Sequence, residues 1–505
     1  MIISRRSCNY RSILFLLLLL TLPLRLLAAD AARPNILYMM ADDHGCNAIS
    51  AYGGYLSSTF HTPNIDRIAH EGIRLNNCFV TNSICTPSRA CILTGQYSQL
   101  NGVYTLADHM DPAHENVAKL LQKSGYQTAM IGKWHLQTLP TGFDFFRILV
   151  GQGTYFDPMM IEADGRKKHT GYVDDIIADS GLDWLKNRDV NKPFFLMCHF
   201  KAPHRSWNPA PRFKDFLKDV TLPEPGNFFD HYETRSDAPK TARQKIENMN
   251  EKDLKTKIPP NMDRDAQRKW AYPIFLKDYL RCVAAVDENV GRLLEYLDKN
   301  HLADNTIVIY TSDQGAFMGE HGFFDKRFMY EESLRMPFLV RYPREIKAGT
   351  TNDNIAINAD FAPTFLDYAG QPTPSEMQGR SLRPVLAGNT PAEWRTSMYY
   401  RYWMNESLEH GIPAHYGIRT EDYKLIFFYG LPLNTNGSFP QKIPPCWEMY
   451  DLKKDPHEMH NVYNDPAYAQ KQSELKNQLL ELKKQYKDED EKYPELMKIR
   501  EKYWN

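Results

Sequence analysis

Acidic side chains follow two apolar segments of this chain at the points where each segment ends. One short apolar run leads into Asp42 and Asp43. A β-branched run much later in the chain leads into Asp313 and Gln314. Because buried parallel strands bring their carboxyl ends to one edge of a sheet, we expect these side chains to lie together. Three carboxylates and an amide oxygen suit a hard divalent cation such as Ca²⁺. Taken alone, the Asp42-Asp43 pair is equally compatible with a helix N-cap or a solvated turn.

Two further segments place reactive or charged side chains at fixed offsets. Cys85 is followed by Pro87 and Arg89, and Lys133 is followed two residues later by His135. If a helix begins at the Pro87 step, Arg89 lies one turn after Cys85, at a helix N-terminus that favours anions. Lys133 and His135 occupy alternate positions of a segment predicted to be extended, so both can face one pocket. Alone, such a Lys-Trp-His triplet is more often a surface turn.

The wider pattern predicts an α/β sandwich. Helical periodicity, as in residues 174–187 and 277–300, alternates with the apolar runs. Residues 206–268 are polar and rich in proline, which favours a solvated surface loop. Short β-rich segments after residue 376 predict a small antiparallel sheet.

Residues 85–95 and 125–135 match, at every specified position, the motifs C-x-P-x-R-x-x-x-x-T-G and G-Y-x-T-x-x-x-G-K-W-H of the type I sulfatases. The chain resembles that family from about residue 33 to residue 465. The resemblance implies an alkaline-phosphatase-like α/β fold, in which helices sandwich a mixed sheet. It divides the chain into a catalytic domain, residues 33–375, and a smaller C-terminal subdomain, residues 376–505, with an antiparallel sheet and terminal helices.

The same resemblance implies a chemistry for Cys85. In this family a maturation enzyme oxidises the cysteine to formylglycine during export, and the aldehyde hydrate attacks sulfur. A second hydroxyl on the same carbon then allows sulfate to be expelled, whereas a plain serine would stop at the sulfated intermediate.

The family's site residues carry over by position. One calcium ion is expected on Asp42, Asp43, Cys85, Asp313 and Gln314, although many members have asparagine at the last position. Arg89 is expected to fix the formylglycine hydroxyl, and Lys133 is expected to contact the sulfate. His135 is the expected base. His204 and Lys326 are expected to bind the sulfate and to protonate the leaving oxygen. Arg327 is an alternative to Lys326.

Residues 319–331 resemble those of enzymes that act on sulfated glycans, especially on the 6-O-sulfate of N-acetylglucosamine. The sugar contacts expected from this resemblance are His321, Trp403, His415 and Arg419, each of which is also compatible with a structural role. Alternatives are a sulfatase of another position, such as a 2-O-sulfated uronate, or a phosphatase or phosphodiesterase that uses two zinc ions. A catalytically silent glycan-binding protein is a third hypothesis.

Composition excludes some partners. The chain has 505 residues, 42% hydrophobic and 24% charged, and a formal net charge of −1. Removal of the four arginines of the leader takes the charge to about −5, and there is no basic block, so no nucleic-acid partner is expected. The seven cysteines after the leader show no paired spacing, which leaves zero, one or two disulfides open.

The first residues predict export. Two arginines precede an apolar run over residues 13–20, and alanines follow, which is typical of a signal peptide over residues 1–29 cleaved near Ala29. The alternative is an uncleaved anchor, but Pro23 and Arg25 break the run before it could span a bilayer. We therefore expect a periplasmic or secreted protein with no stable membrane span. The expected partner, a sulfated carbohydrate substrate, is what the family resemblance implies.

Overall fold

A computed structural model of the chain describes residues 33–440 and 443–504. The predicted signal peptide lies outside these residues. Within the described part, no helix has both the length and the apolar character needed to cross a bilayer. The seven cysteines of this part are all free thiols, so neither of the two possible disulfides is present there.

Strands and helices alternate through most of the chain, as the sequence predicts. The strands are β1 (Asn35–Ala41), β2 (Ile73–Leu75), β3 (Cys78–Phe79), β4 (Gln127–Gly132), β5 (Phe145–Leu149), β6 (Met159–Glu162), β7 (Gly165–Lys168), β8 (Phe194–His199), β9 (Thr306–Ser312), β10 (Phe317–Met318), β11 (Phe324–Asp325), β12 (Phe338–Arg341), β13 (Thr350–Asn352), β14 (Ala356–Ile357), β15 (Ser397–Tyr402), β16 (His415–Thr420), β17 (Tyr423–Phe428) and β18 (Cys446–Asp451). The α-helices are α1 (Pro63–His70), α2 (Cys85–Thr94), α3 (Ser98–Asn101), α4 (Val117–Lys123), α5 (Val173–Asn187), α6 (Asp237–Thr241), α7 (Glu251–Leu254), α8 (Arg264–Lys299), α9 (Glu331–Leu334), α10 (Phe361–Tyr368), α11 (Arg383–Leu386), α12 (Ala469–Gln485) and α13 (Pro494–Tyr503).

The large sheet has ten strands in the order β13-β2-β12-β9-β1-β8-β4-β5-β6-β7. Its centre, from β9 to β5, is parallel, and β12 runs antiparallel beside β9. Met40 pairs with His199, and Ala41 pairs with Ser312, so β1, β8 and β9 end at the same edge. The segments that follow these strands therefore start side by side.

The two faces of this sheet pack on different helices. Successive residues of a strand point to opposite faces, and the alternate residues of β1 belong to two separate apolar clusters. Helices α2, α4 and α10 contribute to the first cluster, and α1, α5 and α8 contribute to the second. This arrangement confirms the predicted α/β sandwich.

The long helix and the segment before it differ from the sequence prediction. Helix α8 begins at Arg264 rather than at residue 277, and Pro273 lies inside it. The prediction of a solvated loop over residues 206–268 was wrong for much of this segment, because its aromatic side chains pack on α8. Trp207 lies 4.5 Å from Phe275, and Phe228 lies 4.7 Å from Tyr272, between ring centroids.

A four-stranded antiparallel sheet in the order β15-β16-β17-β18 follows, as predicted, and α12 packs against it. Its apolar side chains join the same buried cluster as one face of the large sheet. The boundary at residues 375 and 376 stays a prediction.

Candidate active site

Cys85 is the first residue of α2, and it lies where the central strands end. Ile84 before it is extended, and every residue of the helix is buried. The helix thus begins two residues before the predicted Pro87 step, and Arg89 lies one turn after Cys85. Gly95 ends the helix in the left-handed conformation, with its N–H donating to the Cys91 carbonyl at 2.8 Å.

The acids after β1 and β9 meet beside Cys85, as the strand-end argument predicts. The backbone N–H of Asp43 donates to Asp313 Oδ1 at 3.2 Å, and Cys85 Sγ lies 3.6 Å from Asp42 Oδ1. One potential ligand atom from each of Asp42, Cys85 and Asp313 lies within 4.8 Å of the others. All three side chains are buried.

Three cations compensate these buried carboxylates. Lys133 Nζ donates to Asp42 Oδ2 and lies 3.8 Å from Cys85 Sγ. Lys326 Nζ lies 2.6 and 2.5 Å from the two carboxylate oxygens of Asp43. Arg89 donates through Nε to Asp313 Oδ2 at 3.0 Å and through a terminal nitrogen to Asp42 Oδ1 at 3.3 Å. Such pairing is required because an unpaired buried charge is strongly destabilising.

The charges and burial shift the pKa values of this site. Burial raises the pKa of the Cys85 thiol to about 12, against the opposing effect of Lys133 and Lys326. Burial alone would raise the pKa of Asp42, but Lys133 and its neighbouring cations lower it well below its usual range. The unmodified thiol is therefore un-ionised near neutral pH, and a thiol in that form is a poor nucleophile.

The two predicted histidines lie on different sides of Cys85. His204 Nδ1 donates to the Arg205 carbonyl at 2.6 Å, and its Nε2 lies 3.7 Å from Asp43 Oδ2. His135 Nδ1 lies 3.4 Å from the hydroxyl of Thr86, the residue after Cys85. The segment is not extended at His135 as predicted, because β4 ends at Gly132 and His135 has a φ of 53°. Burial, reinforced by Lys133, lowers the pKa of His135 to about 2.

A cavity of about 330 Å³ opens at Cys85. The predicted residues His204 and Lys326 line it. So do residues that sequence reasoning missed, namely Gln152, Arg205, Asp325, Glu409 and His410, together with Arg327, which was considered only as an alternative cation. Gln152, Arg205, Glu409 and His410 stand in connecting segments and belong to no motif, whereas Asp325 ends β11. The sequence offered a signal for two of the missed residues, because Arg205 is beside His204 and Asp325 is beside Lys326.

The four residues predicted to contact the sugar do not line this cavity. His321 is buried, and its Nδ1 lies 2.9 Å from Asp230 Oδ2. Trp403 is covered by the Arg401 guanidinium at 3.5 Å from the ring centroid. His415 donates through Nδ1 to the Pro413 carbonyl at 2.7 Å. Arg419 pairs with Glu331 and lines a separate cavity of about 390 Å³. Each of these four side chains is buried and contacts other side chains or backbone groups of the protein.

The donor set beside Cys85 fits a hard divalent cation. Asp42, Asp43 and Asp313 supply carboxylate oxygens, which are the ligands that calcium prefers. The Gln314 amide lies between Asp43 Oδ1 and Cys85 Sγ, and its Oε1 is buried without a hydrogen-bond partner among the described residues. An ion in this space would give that oxygen a partner and would bring all four side chains to one centre.

Comparison with known proteins identifies the class. Residues 34–371 match the family described as Sulfatase, and residues 319–485 match the family described as N-sulphoglucosamine sulphohydrolase, C-terminal. The chain belongs to the sulfatase family, and it is a sulfate ester hydrolase.

Two relatives and one solved structure show which kinds of sulfatase this chain resembles. The chain is 48% identical to an N-acetylglucosamine-6-O-sulfatase of Bacteroides thetaiotaomicron, over 91% of this chain and 88% of that protein. It is 26% identical to an arylsulfatase of Clostridium perfringens, over 89% of this chain and 94% of that protein. A solved structure that is 47% identical, with a TM-score of 0.83, covers 91% of this chain and 99% of its own and is described as a complex with its substrate D-glucosamine-2-N,6-O-disulfate. The predicted fold class is thereby confirmed.

Proposed function

We propose that this protein hydrolyses the 6-O-sulfate ester of N-acetylglucosamine or of a related glucosamine unit in a sulfated glycan. The observation that carries the proposal is the cluster of Lys133, Lys326 and Arg89 on the buried carboxylates beside Cys85, which itself lines the cavity. The similarity to the N-acetylglucosamine-6-O-sulfatase supports the choice of sugar. A volume of about 330 Å³ is at the low end for ligand pockets and suits one sulfated sugar unit.

The proposed nucleophile derives from Cys85. Oxidation of this residue to formylglycine supplies, through the aldehyde hydrate, one hydroxyl that attacks sulfur and one whose deprotonation releases sulfate. The protonated state of the buried thiol supports a role for Cys85 as a precursor rather than as a thiolate nucleophile. Lys133, whose Nζ lies 3.8 Å from Cys85 Sγ, and Arg89, one helical turn after Cys85, would hold the oxygens at this position by charge-assisted hydrogen bonds.

We further propose a calcium ion held by Asp42, Asp43, Asp313, Gln314 and residue 85. When bound, calcium lowers the pKa of the attacking hydroxyl and neutralises charge on the sulfate oxygens. The buried, unpaired Oε1 of Gln314 and the close approach of the Asp42 and Asp313 ligand atoms support this assignment.

His204 is our candidate for the residue that acts on the leaving group. Its Nδ1 is committed to the Arg205 carbonyl, so its Nε2 is the nitrogen that faces the site. In the imidazolium form of His204, Nε2 also carries a proton. We assign to this form, with Lys326 beside it, the delivery of that proton to the departing sugar oxygen. His135 remains our proposal for the base that collapses the sulfated intermediate, acting from the Thr86 side of Cys85.

The cavity wall suggests sugar contacts other than those expected from the sequence. Arg205, Arg327, Glu409 and His410 line the cavity above the cation cluster, and Arg327 Nε is buried without a hydrogen-bond partner in the described part of the chain. We propose these four residues for recognition of the sugar hydroxyls in place of His321, Trp403, His415 and Arg419.

Export through a cleaved signal peptide over residues 1–29, into the periplasm or the medium, completes the proposal. It is supported by the arginine-led apolar run and the alanines that follow it.

The test is sulfate release, measured by ion chromatography, from N-acetylglucosamine-6-sulfate and from sugars sulfated elsewhere. The protein is first shown by peptide mass to carry the aldehyde at residue 85, and Cys85→Ala is the inactive control. We expect release from the 6-sulfated amino sugar. Release only from a 2-O-sulfated uronate would move the substrate to that alternative. Zinc-dependent release of phosphate from a phosphate ester, with no sulfate release, would contradict the proposal.

A further inference from the structure

We infer that Gln152 is a specificity-determining residue whose side-chain oxygen accepts a hydrogen bond from an N–H or O–H group of the sugar. This inference rests on the proposed function, because it concerns the same cavity and the same sulfated sugar. Nothing in the motifs around Cys85, Lys133 or His204 includes Gln152, which stands in the segment after β5.

The first observation is an acceptor without a donor. Gln152 lines the cavity together with Cys85 and His204, and its Oε1 is buried with no hydrogen-bond partner among the described residues. Buried polar atoms in folded proteins are nearly always paired, so an exception in a ligand cavity points to a partner that arrives with the ligand. A donor on the sugar satisfies this oxygen.

The second observation is that the backbone of Gln152 is anchored to a buried cluster. Lys201 Nζ donates to the Gln152 carbonyl at 3.0 Å and lies 4.8 Å from the centroid of the Tyr155 ring. The Tyr155 hydroxyl donates in turn to the His204 carbonyl at 2.5 Å. Lys201 itself is 3% exposed, and its backbone N–H donates to Asp174 Oδ1 at 2.8 Å.

The consequence is that two backbone segments of the cavity wall are held together. The carbonyls of Gln152 and His204 are both bound by the buried cluster of Lys201 and Tyr155, so the backbones that carry the sugar acceptor and the proposed proton donor are anchored to one cluster. Recognition groups held in this way improve both binding and alignment of the scissile bond.

The third observation is that the residues lining the cavity differ in charge. Lys326, Arg205 and Arg327 are cations, which suit the sulfate, while Asp325 and Glu409 are anions engaged by neighbouring cations or by His410. Gln152 and Asn250 are the neutral amides of the lining, and the Asn250 oxygen already accepts from the backbone N–H groups of Lys252 and Asp253. A neutral acceptor suits a hydroxyl or an amide N–H of the sugar and contributes little to binding of the sulfate group.

The experiment compares a sugar ligand with a ligand that lacks the sugar. Gln152→Met removes the acceptor at similar volume, and Gln478→Met, on the exposed side of α12, is the matched control. For each aldehyde-bearing protein we would measure kcat/KM for N-acetylglucosamine-6-sulfate and the inhibition constant of inorganic sulfate. We expect Gln152→Met to lower kcat/KM about 10- to 100-fold, as for an unmade hydrogen bond in a site built for it, with the sulfate inhibition constant within about twofold of the parent.

The identity of the donor follows from a second comparison. 2-Deoxyglucose-6-sulfate has no donor at the position of the amino group, whereas glucose-6-sulfate keeps a hydroxyl there. If the donor is at that position, the parent protein discriminates between these two sugars and Gln152→Met does not. Equal discrimination by both proteins places the donor at another hydroxyl.

Three results would overturn the inference. An unchanged kcat/KM in Gln152→Met would show that the sugar makes no use of the acceptor. An equal loss of sulfate affinity, or a lowered melting temperature in both Gln152→Met and Gln152→Leu, would assign a structural role. Absence of sulfate release from every sugar by the parent protein would instead contradict the proposed function, and that outcome is visible before any Gln152 variant is made.

Discussion

Three carboxylates and three cations share the buried space around Cys85, and each depends on the others. Lys133 is fully buried and pairs with Asp42, while Lys326 pairs with Asp43. Loss of one member leaves an uncompensated charge in the core, in addition to any effect on the reaction.

We predict that Lys133→Ala or His204→Ala lowers kcat for sulfate release by at least ~100-fold, since each removes a group assigned to charge stabilisation or proton transfer. Cys85→Ala should abolish release. Steady-state kinetics on N-acetylglucosamine-6-sulfate provide the measurement, and Lys168→Ala, an exposed lysine on β7, is the control. Full activity of Cys85→Ala would refute the proposed nucleophile.

Removal of the metal gives a second prediction for the same residues. A calcium chelator should abolish sulfate release, and added calcium should restore it, because four oxygen-donor side chains converge beside Cys85. The measurement is activity after dialysis, paired with calcium binding by calorimetry in Asp313→Asn. Recovery with zinc but not with calcium would favour a phosphatase instead.

The sequence predicted part of this site for a physical reason. Asp42 and Asp313 follow parallel strands, and neighbouring strands necessarily end at one edge. Gln152, Arg205 and His410 come from connecting segments whose paths depend on tertiary packing, so no local pattern marks them. The role of His321 could not be decided from the sequence, because a histidine that pairs with a buried aspartate looks the same in sequence as one that contacts a ligand.

At the scale of elements, α2 is positioned by its C-terminal turn as well as by its packing. Gly95 has a φ of 66°, and a Cβ added there would lie 3.0 Å from Met377 Cγ. The left-handed conformation alone costs a residue with a side chain about 1–2 kcal/mol. The glycine therefore fixes where the helix stops and where the chain leaves the site.

We predict that Gly95→Ala lowers the free energy of unfolding by about 1–2 kcal/mol. Denaturant unfolding followed by circular dichroism is the measurement. Gly226→Ala is the matched control, because no atom lies within 4 Å of a Cβ at that position and its φ is outside the left-handed region. Equal stability of the two variants would contradict the role given to Gly95.

The C-terminal sheet was predictable because short β-rich segments follow residue 376, and β15 to β18 all lie in that part of the chain. The start of α8 could not be predicted, because the sequence around residue 264 is polar. The face of the helix there is buried only by the preceding segment of the chain, which packs on it.

At the scale of the whole molecule, an ion-pair network attaches the C-terminal helices to the small sheet. Arg401 on β15 lies 2.5 Å from Asp488, and Lys483 on α12 lies 2.7 Å from Asp488 and 2.9 Å from Asp490. Arg500 on α13 reaches Asp490 at 3.1 Å. These contacts connect both terminal helices to a sheet whose core is continuous with that of the catalytic fold.

The network predicts a pH dependence of stability. Burial alone would raise the pKa of Asp488, but Arg401 and Lys483 lower it below its usual range. The stabilisation by Asp488 is therefore fully present above the pKa that this carboxyl has in the unfolded chain, about 4. It is lost as the pH falls toward the lower pKa that the carboxyl has in the folded protein. We expect the free energy of unfolding to decrease from about pH 5 to about pH 3, and Asp488→Asn to reduce this slope. An unchanged slope in the variant would assign the acid sensitivity to other groups.

The burial of Cys85 bears on whether this residue is modified before or after the chain folds. The side chain is 1% exposed and begins a helix that is buried throughout, beneath segments separated by hundreds of residues in sequence. The folded protein therefore does not expose this residue or its helix to a second protein. Under the proposed maturation, the modifying enzyme therefore acts on the nascent or newly exported chain, and a molecule that folds before this encounter remains inactive until it unfolds.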